Sequence, residues 1–186
     1  MVKIGIITGS TRDARVNLQV AEWVKALAEE HSDAEFELVD IKEYDLPRFN
    51  EDVPPLMANR QYANPQVQVW SKKVDELDGF IFVTPEYNKS ITSALKDAID
   101  HLAPEWHNKS AAIVSYGTTN GIAASYSLRQ MLSCLRLATI STNVALNMYT
   151  DFEKFSQFKP AENHFATAQN LINDVVLWAQ AMKTIR

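Results

Sequence analysis

Cysteine occurs once in the 186 residues, at Cys134. One thiol excludes an intrachain disulfide framework and any Cys-rich metal site, and such usage fits a reduced compartment, so a cytoplasmic location is expected. The chain opens on the β-patterned Val2-Lys3-Ile4-Gly5-Ile6-Ile7, with no basic region, long apolar stretch or small-residue cleavage site. Neither a targeting signal nor a membrane partner is therefore expected. A block of positive charge is missing too: 18 Lys and Arg are interspersed with 23 Asp and Glu for a net charge of −5. That balance leaves no electrostatic footprint for a phosphate backbone, so no nucleic-acid partner is expected. Internal repeats and low-complexity segments are also absent.

What is present is apolar content of 46%, enough in a chain of this length to bury one sizeable core without disulfides or metals. A single domain spanning residues 1–186 is the expectation. Strand-like and helix-like runs alternate along it. Lys3 to Thr8 reads as a strand, and a helix from about Asn17 carries Val20, Val24, Leu27 and Ala28 at spacings of three and four. Glu35 to Asp40 alternates polar and apolar, which suits a strand near a sheet edge. Val67, Trp70, Val74 and Leu77 mark a helix before the fully apolar strand Gly79 to Val83. Ala94, Leu95, Ala98, Ile99 and Leu102 mark the next helix, and Ala111 to Ser115 the next strand. Leu128, Met131, Leu132 and Leu135 mark a helix before a strand at Ala138 to Thr142. Phe165, Ala168, Ile172, Val175, Ala179 and Met182 then form a helical stripe. Five strands alternating with five helices predict an α/β fold, a doubly wound parallel sheet with helices on both faces. Between Ile41 and Asn64, with Pro47, Pro54 and Pro55, lies an irregular stretch longer than ordinary connections, expected to be a lid or an interface arm, with a plain surface loop as the alternative.

In such a sheet, ligands bind outside the carboxyl ends of the strands, and three loops fall there. Thr8 to Asn17 offers backbone N–H groups, the hydroxyls of Ser10 and Thr11, and the guanidinium groups of Arg12 and Arg15 to an anion at a helix N-terminus. It lacks the Lys of a Walker loop and the Gly-x-Gly-x-x-Gly spacing of a pyrophosphate site, which favours a monophosphate. Asn17 alternatively serves as a plain helix cap. Thr84-Pro85-Glu86-Tyr87-Asn88-Lys89-Ser90 sets a proline, an aromatic ring and an amide at the end of the third strand, suited to a flat, polar-edged ligand or to an ordinary turn. Ser115-Tyr116-Gly117-Thr118-Thr119-Asn120-Gly121 brackets hydroxyl and amide residues with glycines that let backbone approach a ligand. A phosphate at the first loop and a ring between the other two describe a mononucleotide.

With these residues in view, the chain resembles the NAD(P)H-dependent FMN reductase family, flavodoxin-like enzymes that include quinone, azo-dye and chromate reductases. The resemblance rests on Gly9-Ser10-Thr11-Arg12 with Arg15 and Asn17, on Pro85 to Ser90 with Ala94 to Asp100, and on Ser115-Tyr116-Gly117 with Gly121. It spans most of residues 3 to 135. It implies a flavodoxin-like five-stranded sheet and bound FMN, with NADPH or NADH as co-substrate. It implies that Ser10, Arg12 and Asn17 grip the FMN phosphate, that Pro85, Glu86, Tyr87 and Asn88 line the isoalloxazine, and that Ser115, Tyr116 and Gly117 meet its other edge. Arg15, Ser90 and Gly121 complete the expected cofactor contacts. The implied reaction is a ping-pong hydride transfer through FMN to a small acceptor such as a quinone, a flavin or an azo compound. The flavin carries that chemistry, so no catalytic acid or base and no metal is expected. A homodimer or tetramer is implied as well. Thr118-Thr119, where many members have glycines, and Thr92, where many have proline, depart from the pattern and leave the shape beside the ring open.

Other chemistries fit less well. A Cys-based phosphatase needs Arg six positions after its nucleophile, and Ile140 stands there, so Cys134 is expected in the core. His101 and His107 near Asp97 and Asp100 lack metal spacing, and Asp97 with His101 reads as a solvated helical pair. Trp23, Trp70 and Trp178 are expected in the core, and Trp106 in a loop where an interface is possible. A receiver domain would place acidic residues where Thr8-Gly9-Ser10 stands. A flavodoxin-like electron carrier, or a flavin-dependent interaction module, is the alternative that shares the fold and the cofactor.

Overall fold

The computed structural model describes residues 1–186. Its chain order is β1 (Val2–Thr8), α1 (Asn17–Ala28), β2 (Ala34–Val39), α2 (Pro55–Ala58), α3 (Pro65–Glu76), β3 (Gly79–Pro85), α4 (Ser93–Asp100), β4 (Ser110–Gly117), α5 (Ile122–Cys134), β5 (Ala138–Asn147), β6 (Phe152–Glu153), β7 (Gln157–Phe158) and α6 (Asn163–Lys183). The first five strands form one sheet of order β2-β1-β3-β4-β5, with every neighbouring pair parallel. This is the flavodoxin-like order. The apolar runs of β3 and β4 are buried along their whole length because helices cover both faces, whereas β2 alternates because it forms an edge.

Two apolar clusters flank the sheet. On one face Val20, Val24, Ile172 and Val175 bring α1 and α6 onto Ile4, Ile6 and Ile81. On the other, Val67, Trp70, Leu95, Ile99, Leu128 and Leu132 bring α3, α4 and α5 onto Phe80 and Phe82. Trp106 belongs to this second core: it is fully buried, edge-on to Phe80 at 4.9 Å, and donates from its indole N–H to the Ile99 carbonyl at 3.2 Å. The expectation of an interface for it fails, because the loop carrying it tucks back under the sheet. Trp70 is likewise buried, Trp23 is half-buried, and Trp178 is 45% exposed on the outer side of α6, against the expectation for it. Cys134, expected in the core, is exposed at the last turn of α5.

Differences from the expected elements have local causes. β5 continues to Asn147 rather than stopping at Thr142, because a register shift opposite Ala111 to Ile113 absorbs the polar segment before Val144 and Leu146 resume the buried pattern. The small hairpin β6–β7 has no counterpart among the expected elements. The stretch from Ile41 to Asn64 contains a 3₁₀ turn at Ile41–Tyr44 and the short α2. It is fastened to α4: the buried His101 Nε2 lies 2.9 Å from the Pro47 carbonyl, and Asp97 accepts from the Phe49 N–H at 3.1 Å. His101 and Asp97 are therefore anchors for this stretch and not a solvated pair. No helix is long and apolar enough to cross a membrane.

Candidate functional site

All three loops expected to carry the site meet at the carboxyl edge of the sheet, where the chain runs from β1 to β2 on one side and to β3 on the other. Gly9 begins the first loop. A Cβ there would stand 2.6 Å from the Val83 carbonyl oxygen, so only glycine lets the turn press against β3. Asn17 locks that approach: its fully buried amide accepts from the Gly9 N–H at 2.8 Å and donates to the Val83 carbonyl at 2.9 Å. Thr92 adds a third tie, donating to the Gly9 carbonyl at 2.6 Å and capping α4 through the Leu95 N–H. Held this way, the turn leaves the backbone N–H groups of Ser10, Thr11, Arg12, Asp13 and Ala14 without an acceptor inside the protein. The buried Ser10 hydroxyl also lacks a partner. Thr11 to Ala14 are exposed, so their N–H groups are open to solvent or to an anion, whereas the Ser10 hydroxyl is a buried group of the kind that is ordinarily paired.

The cations of the same turn divide. Arg15 is paired with Asp40 at the end of β2, as the turn's Asp13 is with Lys42 of the 3₁₀ turn that follows. Arg12 has no carboxylate and donates only to the Tyr87 hydroxyl at 3.2 Å, with its guanidinium 6.0 Å from that ring's centre. It is the cation of the turn left for an anion.

In the second loop, Tyr87 and Ser90 exchange backbone bonds of 2.9 and 3.0 Å around Asn88 and Lys89, both at positive φ (50° and 67°). This two-residue primed turn presents the Tyr87 ring, 37% exposed, to the cleft. Glu86 turns its carboxylate to the third loop, where it accepts from the N–H groups of Ala123 and Ala124 at 2.9 and 3.2 Å and from Thr119 Oγ1 at 2.9 Å. It thereby caps α5, whose N-cap, Gly121, has no side chain to do so. Gly121 itself sits at φ +67°, where a Cβ would come within 2.6 Å of the Tyr116 nitrogen.

Partial burial would raise the Glu86 carboxyl, but bonds from Thr119, the Ala124 N–H and Lys89 outweigh it and hold the group below its ordinary value of 4.5. A folded-state value below the unfolded one gives stability that is present above pH 4.5 and lost as pH falls through the lowered value. Replacing Glu86 by Gln is expected to remove this dependence, so that the melting temperatures of wild type and variant converge on acidification below pH 4.5. Parallel profiles would contradict the cap. Glu86→Ala, which leaves two N–H groups bare, is expected to cost about 1–3 kcal/mol at pH 7.

The cleft between the loops has a volume of about 270 Å³ and is lined by Arg12, Ala14, Arg15, Val16, Pro85, Glu86, Tyr87, Tyr116, Gly117, Thr118, Met148 and Phe155. Of the residues expected at the site, Arg12, Arg15, Pro85, Glu86, Tyr87, Tyr116 and Gly117 meet here. The others lie outside this lining. Asn17 braces the first turn, Ser115 donates to the Asn120 carbonyl, Ser90 bonds Ser127 on α5, Gly121 starts α5, and Asn88 is exposed at its turn. Burial keeps the Tyr116 hydroxyl protonated by raising it far above its ordinary range. Met148 and Phe155 give no signal in the sequence, since both follow β5 in segments without periodicity. Asp40 was legible as the polar end of β2, although its pairing with Arg15 was not.

A larger cavity of about 590 Å³ lies elsewhere, between Phe49, Pro54, Pro55 and Leu56 of the irregular stretch and Ile99, Met131 and Leu135. It shares no residue with the cleft, its lining is mostly apolar, and its one cation, Lys96, is paired with Asp100.

Comparison with known proteins bears on the family and the fold. Residues 2–151 match the family model described as NADPH-dependent FMN reductase. An NAD(P)H-dependent FMN reductase of Schizosaccharomyces pombe is 34% identical over 149 residues, covering 80% of this chain and 74% of its own length. A quinone reductase of Pseudomonas putida is 30% identical over 168 residues, covering 82% and 84%. Among solved structures, a flavoenzyme NAD(P)H:(acceptor) oxidoreductase from Paracoccus denitrificans superposes with a TM-score of 0.77 at 24% identity, covering 98% of this chain and 99% of that one.

Proposed function

We propose that this chain, which belongs to the NADPH-dependent FMN reductase family, holds FMN in the three-loop cleft and reduces quinones and similar small acceptors there. It is an FMN-dependent oxidoreductase that uses NAD(P)H. The observation that carries the placement is the unpartnered donor set of Ser10 to Ala14 with Arg12 beside an aromatic cleft, a phosphate cradle adjoining a ring slot.

When bound, FMN supplies the means to take a hydride from NAD(P)H and to pass two electrons on to an acceptor. The chain's own groups bind and orient. In this reading the Ser10 hydroxyl and the N–H groups of the first turn would donate to the phosphate's oxygens, and Arg12 would swing from Tyr87 to neutralise its charge. Pro85, Tyr87, Tyr116 and Gly117 shape the ring slot. Asn88 and Lys89, whose N–H groups have no acceptor in the protein, supply donors for charge that develops beside them. Asn17, Ser90, Ser115 and Gly121 hold these donors in place.

Arg12→Ala is expected to weaken FMN about ten- to a hundredfold, read by quenching of flavin fluorescence on titration. Unchanged affinity would remove the phosphate from this turn. A passive electron carrier is set apart by turnover: the purified protein with FMN is expected to oxidise NADPH or NADH when a quinone is added, and a carrier is not.

The reading includes a cytoplasmic homodimer or tetramer. Exposed Val53, Leu56 and Met57 on the irregular stretch support it, as apolar surface that a second copy would cover. Sedimentation equilibrium at micromolar concentration is expected to give at least the dimer mass, and a monomer mass would contradict it.

A further inference from the structure

The hairpin β6–β7 lies beyond the residues that match the family model, which end at 151, yet it reaches the cleft. Its base is fixed. Phe152 is buried with its ring 5.5 Å from Tyr116 and 5.1 Å from Phe158. Gln19 clasps the far strand, donating to the Ser156 carbonyl at 3.0 Å and accepting from the Phe158 N–H at 2.8 Å. Fully buried Asp151 accepts from the N–H groups of Asn147 and Ala161 at 2.7 and 2.9 Å.

At the tip the rules change. Lys154 and Phe155 both stand at positive φ, 49° and 56°, with Ser156 N–H donating to the Glu153 carbonyl at 3.1 Å. Such a turn is the province of Asn and Gly, and a bulky ring in that conformation is strained. A strained residue persists only where its surroundings over-determine it, and burial does not explain this one, because Phe155 is 55% exposed. It lines the cleft together with Arg12, Tyr87 and Tyr116. Tyr149, itself 68% exposed, meets its ring edge-on at 5.4 Å and 80°.

We infer that Phe155, held at a strained hairpin tip and steadied by Tyr149, is an aromatic wall of the cleft that packs against a flat ring and sets a preference for planar aromatic ligands. The inference rests on the proposed FMN site. The flat ring has two possible sources, the flavin and an aromatic acceptor, and one set of variants separates them. Phe155→Ala is expected to raise the dissociation constant of FMN by about 2- to 10-fold if the flavin meets the wall. It is expected to raise the KM for menadione by a similar factor, with that for ferricyanide unchanged, if the acceptor does. Phe155→Tyr restores the wild-type value in either case. Phe155→Gly relieves the turn and is expected to melt no lower than wild type while showing the same ligand defect, which separates a wall from a structural residue. Phe155→Ala with FMN affinity and menadione KM both within twofold of wild type would overturn the inference. A wild-type protein that binds no FMN would instead overturn the proposed function on which it rests.

Discussion

Asn17→Ala is expected to lower stability by about 2–5 kcal/mol, because it strips the partners from two buried backbone groups at once. Its amide accepts from the Gly9 N–H and donates to the Val83 carbonyl, with no exposure to water that could replace it. Each bare group costs its desolvation, and the missing amide adds a cavity between α1 and β3. For a chain of this size the melting temperature is expected to fall by about 5–15 °C. The effect on the cofactor is expected to exceed what the lost stability alone would give. Gly9 is the hinge by which the first turn presses on β3, and once it is released the N–H groups of Ser10 to Ala14 no longer point from a fixed frame. Denaturant melts and an FMN titration at a temperature where the variant is folded read the two effects separately. A loss under about 0.5 kcal/mol would show that water or a shifted side chain satisfies the pair, and that Asn17 is no strut.

Trp106→Ala is expected to cost about 3–5 kcal/mol, the range for emptying a large aromatic site in a packed core. The indole is fully buried, touches Trp70, Phe80 and Phe82 with ring centres 4.9 to 6.1 Å apart, and closes the polar end of α4 through the Ile99 carbonyl. Nothing of it reaches the cleft. The destabilised variant is thus expected to keep wild-type FMN affinity below its melting temperature. Trp106→Phe, which keeps a ring and loses the indole donor, is expected to lose about half as much or less. Melting curves with FMN titrations check both. A variant of undiminished stability whose assembly mass changes would return Trp106 to the interface.

The contrast between these two residues shows what could be read before the fold was known. The alternation of apolar runs placed all five strands and the five long helices, because a buried parallel strand and an amphipathic helix each leave a period in the sequence. The three loops were legible because they follow from that alternation and carry glycines, hydroxyls and Arg12 where strands end. The direction of a side chain at a loop leaves no such period. Asn17 and Ser115 belong to the site's neighbourhood yet face its scaffold, and Glu86 reaches across to cap α5 through space that the sequence does not describe. Trp106 sits in a loop that folds inward, and Phe155 in one that folds toward the cleft, with nothing in their neighbours to separate the two. Cys134 and Trp178 show the converse, apolar types near helical stripes that end on the outer side.

The central claim is that FMN held in the three-loop cleft passes reducing equivalents from NAD(P)H to a small acceptor. An anaerobic cuvette tests it in two additions. Protein loaded with FMN and freed of excess cofactor is expected to lose its visible flavin absorbance when one equivalent of NADPH or NADH is added, and to regain it when one equivalent of a quinone follows. A protein that retains no flavin absorbance after FMN loading, or whose bound FMN stays coloured with both nicotinamide nucleotides, would contradict the account.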